Sequence, residues 1–76
     1  MNEKSPITIR QLARIGMILF GVGWQTHMAK AVHASPRTVR RWAVGEFPVP
    51  YRVELELRNL LEKKRGAIAE ILLSFD

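Results

Sequence analysis

Cysteine is absent from the 76 residues, so neither a disulfide nor a thiolate metal site can hold this chain together. That absence fits a reducing cytoplasm. Histidine occurs twice, at His27 and His33, far in sequence from the acids, so no metal site and no cofactor is expected. Aspartate occurs once, as the terminal Asp76. Ser35 stands where a helix cap is needed, and no nucleophile, base and orienting group can be assembled from the rest, so the chain does not read as an enzyme. Long hydrophobic runs are lacking too. "IGMILFGV" has eight residues, is interrupted by Gly16 and Gly21, and falls far short of the ~20 needed to span a bilayer. Basic residues precede it and "AKA" follows it, the parts of a signal peptide. The segment after it reads better as folded helix, and no leader and no membrane partner are expected. Strand alternation, internal repeats and low-complexity tracts are missing as well.

Acid is scarce where base is plentiful. Residues 1–45 hold seven Lys and Arg against one acid, Glu3, whereas residues 46–76 hold five against six. The net charge of +5 therefore lies in the first part, at +6, with the last part at −1. A basic portion joined to a nearly neutral, leucine-rich one suggests a surface for polyanions and a scaffold or contact segment. An apolar fraction of 47% with 25% charged residues is globular composition. One domain of this size buries only about 60% of its unfolded surface, which leaves room for help from a second subunit.

The local signals are helical throughout. Thr8 and Gln11 have the spacing of a capping box, and Ile7 with Leu12 that of a hydrophobic staple. Ile9, Leu12, Ala13, Gly16, Leu19 and Phe20 form one stripe, widened by Ile15 and Ile18, which predicts a first helix over 8–20 covered on two sides. "GVG" stops it. A short second helix runs from Trp24 to about Val32, with Trp24 as its lead-in at the core edge and Met28 and Val32 on its inner face. "HAS" turns the chain, Ser35 caps a third helix, Pro36 suits its first position, and Gly45 ends it. After "FPVP", Pro50 opens a helical pattern over 51–75 whose apolar phase crosses Gly66. One long helix is favoured over two, giving four to five helices in all.

Two short helices, a tight turn and arginines on the second helix describe a helix-turn-helix unit over 25–44. Counted from Gln25, Ala29 is fifth, where the helices cross closely. Val32 is eighth, Val39 fifteenth and Trp42 eighteenth, and these pin the second helix onto the first. On that helix Arg37, Arg40, Arg41 and Val44 share the side opposite Val39 and Trp42. No acid lies within helical pairing distance before Glu46, so the arginines repel one another unless an external anion neutralises them. Arginine's planar fork matches phosphate and the O6/N7 edge of guanine.

The stretch "WQTHMAKAVHASPRTVRRWAVGEFPVP" resembles the lambda-repressor/Cro-like helix-turn-helix family, closest to small proteobacterial and prophage proteins with a "TVRRWxxGxxPVP" stretch. The resemblance covers roughly residues 8–62. It departs at the ninth position, often glycine because the turn needs a positive φ, which is His33 here. The resemblance implies an all-α, lambda-repressor-like bundle that binds duplex DNA. It implies base contacts from Arg37, Thr38, Arg40 and Arg41, with Arg37 foremost and Arg41 alternatively on a phosphate. Gln25, Thr26 and Lys30 would grip phosphates. His27 reads as a surface residue, and Lys63, Lys64 and Arg65 as a helix-end cluster.

Along the last helix Leu57, Leu61, Lys64, Ile68, Ile71 and Phe75 step by four and three, a coiled-coil seam with one polar break. This predicts a homodimer through residues 60–75, with Leu61, Ile68, Ile71, Leu72 and Phe75 as contacts. The alternative is a tail folded back on the first helix. The resulting expectation is a small transcriptional regulator, a repressor acting by occupancy with no small-molecule ligand, cytoplasmic and held to the nucleoid through its DNA. The rival is a protein-interaction module such as the antitoxin of a toxin–antitoxin pair. A membrane-surface peptide is disfavoured by the acids interleaved over 54–70.

Overall fold

Four helix starts account for most of the architecture. Thr8 Oγ1 accepts the Gln11 backbone N–H at 3.0 Å and opens α1 (Ile9–Phe20). Ser35 Oγ accepts the Thr38 N–H at 3.1 Å and opens α3 (Pro36–Ala43), with Pro36 in the first turn. Gly23 leads into α2 (Trp24–Ala31), and Pro50 into α4 (Tyr51–Leu73). The computed structural model describes residues 3–75. Among these the chain is all-α with a long C-terminal helix, and α4 runs unbroken across Gly66. The Lys63–Arg65 cluster is therefore inside a helix and not at its end. Of the expected capping box only the Thr8 half forms a hydrogen bond.

Leu12, Met28, Ala29, Val32, Val39, Trp42, Val49, Val53 and Leu57 are buried in one cluster, with Ile7, Ile15, Leu19 and Trp24 packed against it. All four helices and the loop before α4 contribute to it, so none of them buries its apolar face alone. The stripe expected on α1 is narrower than its spacing suggests. Ile9 and Ile18 are half exposed, at 51% and 49%, because only α2, α3 and α4 pack on this helix and they cover one side of it. Gly16, by contrast, is buried beneath the Trp24 indole, close enough that a β-carbon there would lie 2.2 Å from Trp24 Cδ2. Trp24 thus does more than lead into α2: it closes the angle between α1 and α2 over a position that has no side chain.

An N-terminal strap fastens α4. Lys4 pairs with Pro50 in an isolated antiparallel bridge. The Ser5 N–H donates to the Val49 carbonyl at 2.8 Å and the Tyr51 N–H to the Glu3 carbonyl at 2.9 Å. The Ser5 hydroxyl donates to the buried Glu54 carboxylate at 2.5 Å, and Arg58 Nε donates to its other oxygen at 2.8 Å. The Ser5 hydroxyl, then Arg58, hold the Glu54 carboxyl below the ordinary value of 4.5, against the opposing effect of burial. A carboxyl depressed in the folded state contributes stability above its unfolded pKa, and that contribution is lost as pH falls through the folded value. The denaturation midpoint should therefore drop on acidification below about 4.5, more steeply than for Glu54→Gln. Superimposable pH profiles for the two proteins would show that the strap carries none of this dependence.

Candidate nucleic-acid interface

Residue chemistry fixes the turn between α2 and α3. The Val32 N–H still donates to the Met28 carbonyl at 3.0 Å, and the Ala34 N–H reaches back to the Ala29 carbonyl at 2.9 Å. Between them His33 takes φ = 57°. A left-handed residue followed by a six-to-one hydrogen bond is a Schellman ending, for which glycine is the least strained choice. His33 holds the conformation because its neighbours Val32 and Ala29 are buried on either side of the turn. His33→Gly is expected to raise stability by about 1 kcal/mol by removing the β-carbon strain. For a domain of this size that is a rise in melting temperature of roughly 4–8 °C. A lower melting temperature would mean that the imidazole makes a compensating contact.

The four residues expected to lock the unit are buried. Ala29 is 1% exposed, Val32 and Val39 0%, and Trp42 5%, all in the common core. With Val39 and Trp42 inside, Arg37 and Arg40 of the short α3 are presented outward. Arg37, Arg40, Arg41, Val44 and Glu46 line one shallow concave face. Arg37 and Arg40 are exposed, and among the described residues neither has an ion-pair partner. Arg41 differs. It is half-buried, its Nε lies 3.6 Å from Glu46 Oε2, and its guanidinium sits over the Phe47 ring at 5.2 Å.

The loop after α3 brings those partners to Arg41. The Glu46 N–H donates to the Arg41 carbonyl at 2.9 Å around Gly45, whose φ is 79°. The positive φ is what calls for glycine here, since the half-exposed Ile9 side chain, whose Cδ1 would lie 2.6 Å from an added β-carbon, can swing away. Helical pairing rules do not include a five-residue offset, so the sequence alone leaves the Arg41–Glu46 contact invisible.

The other expected contacts are distributed less tightly. Thr38 is part-buried, and its hydroxyl shares a 2.9 Å hydrogen bond with Ser35 as part of the α3 cap. Gln25, Thr26 and Lys30 lie on α2, outside the arginine-lined face. Gln25 is part-buried in the first turn, while Thr26 and Lys30 are exposed. Because Gly23 supplies no side-chain cap, the first N–H groups of α2 have no side-chain acceptor. Such a helix start favours an anion. His27 is exposed and stacks beside Phe20, with ring centroids 6.3 Å apart. Val44 is 70% exposed among the arginines. Its place on their side is legible from helical spacing, but its membership of the concavity is not.

No group of three His, Cys, Asp or Glu among the described residues could hold a metal. No helix among them is long and apolar enough to cross a membrane. Comparison with protein-family models, with curated proteins and with solved structures finds no match to this chain.

Proposed function

We propose that the chain binds duplex DNA in a sequence-specific manner, with α3 entering the major groove, and that it acts as a small transcriptional regulator by occupying its site. The observation that carries this reading is the pair Arg37 and Arg40, exposed and without an internal counter-charge, on a helix whose opposite side is locked by Val39 and Trp42. Two like charges one turn apart repel each other at some cost to the helix. Phosphate or a guanine edge relieves that cost. A second helix held rigidly on the first is also how helix-turn-helix proteins present side chains to bases. The resemblance to lambda-repressor/Cro-like proteins supports the same reading. Gln25, Thr26 and Lys30 serve as phosphate contacts in it. Arg41 divides its charge between Glu46, Phe47 and the nucleic acid, and so contributes less to base choice than Arg37 or Arg40.

The test is selection from a pool of random duplexes, followed by anisotropy with the enriched sequence at several salt concentrations. A recurring base pattern containing guanine, with affinity that falls steeply as salt rises, is expected. A pool that stays featureless after repeated rounds would reduce the arginine face to a charged surface.

A further inference from the structure

From Glu62 to the end of α4, and on through Ser74 and Phe75, every residue is exposed. Ile68, Ile71, Leu72 and Phe75 are each 51–79% accessible. A lone helical segment of this length is marginal in water, so its apolar stripe calls for a cover. The stripe keeps the phase of Val53 and Leu57, which are buried in the core. The face that closes the bundle in the first half of α4 is therefore the face left open in the second half. Where the two halves meet, Ile18 from the last turn of α1 joins Leu61, Lys64, Arg65 and Ile68 around an open slot. The slot is apolar within and basic at its rim.

We infer that the slot receives the α4 tail of a second copy of this chain, in an antiparallel, two-fold arrangement that seats Phe75 of each copy in the slot of the other. The charges select both the occupant and its direction. A parallel, in-register pair would set Lys64 against Lys64 in the seam, whereas Arg65 is already paired with Glu62 of its own helix. The antiparallel pair instead brings Lys64 to the partner's helix C-terminus, the negative end of its dipole. It also opposes Ile68 to Ile71 on either side of the two-fold, so the centre of the seam is apolar. Such a contact is isologous and closes on itself, leaving no free slot for a third copy. The dimer would give the DNA-binding reading its second half-site, but the contact is argued from α1 and α4 alone.

The chain has no cysteine, so single thiols can be introduced for spin labels on the outer side of α4. Glu62→Cys and Ala69→Cys lie two turns apart on one face and outside the seam. In the proposed dimer the two-fold falls beside residue 69. The axial separation between labels at Glu62→Cys is then roughly 20 Å greater than at Ala69→Cys, at 1.5 Å per residue. A dimer in sedimentation, with a much longer distance for the Glu62→Cys pair, is the expected result. Phe75→Glu should make the protein monomeric while its thermal melt remains cooperative, since Phe75 is outside the core. Equal distances for the two labels would show a parallel pair and overturn the inference. A monomer at every concentration would also overturn it, leaving the tail for a different protein. Duplex binding by such a monomer would leave the proposed function standing.

Discussion

Gly16→Ala is expected to lower the stability of this protein by about 2 kcal/mol or more, although the same change in an open helix stabilises by about 1 kcal/mol. The new β-carbon would lie 2.2 Å from Cδ2 and 2.3 Å from Cε3 of Trp24, inside the contact distance of any carbon pair. Relief would require moving an indole that is itself packed against the core. A domain of this size would lose roughly 10 °C or more in melting temperature. Gly66→Ala supplies the control of opposite sign. Nothing lies within 4 Å of the β-carbon it would add, so only helix propensity acts, and the melting temperature should rise. Trp24→Ala should shrink the penalty of Gly16→Ala in a double-mutant cycle, because it removes the atom that is struck. A Gly16→Ala protein melting at or above the parent would refute the packing of Trp24 on α1.

The second large effect is expected at the arginine face. Once a preferred duplex is in hand, Arg37→Ala and Arg40→Ala should each weaken binding by about 1–3 kcal/mol, tenfold to more than a hundredfold, and relax the preference at one base position. Neither side chain has an internal ion pair to lose among the described residues, so the folded state should melt almost unchanged. Lys30→Ala should behave differently. It should weaken all duplexes alike and reduce the salt slope by about one. Arginine variants that bind the selected duplex as the parent does, with the same base preference, would remove α3 from the interface.

These two sites differ in how far the sequence discloses them. The arginine face is legible because helical periodicity alone puts Arg37 and Arg40 opposite Val39 and Trp42, and because Ser35, Pro36 and Gly45 mark where that helix begins and ends. The lock at Ala29, Val32, Val39 and Trp42 is legible for the same reason: short-range spacing predicts which side chains turn inward. His33 could be flagged as a left-handed residue from its position in the turn, and its φ of 57° agrees. Contacts that depend on how helices lie against one another are not legible in this way. Ile9 and Ile18 fit the α1 stripe by spacing and are nonetheless half exposed. Gly16 reads as one small residue in a stripe until Trp24, eight positions away, is found lying on it.

Helix boundaries, the all-α class, the sign and location of the charge, and the inward set of the turn unit were determined by the sequence itself. Each follows from interactions spanning four residues or fewer, which a linear reading contains. The apolar phase across Gly66 already favoured one long α4, and only the tertiary structure decided that its end runs past the bundle and does not fold back on α1. It likewise decided that Ser5 reaches Glu54 across 49 positions, and that Arg41 is tied to Glu46 and Phe47 while Arg37 and Arg40 are not. Those outcomes depend on which surfaces meet once the helices have packed. Periodicity assigns a residue to a face, but the neighbouring helix decides whether that face is covered.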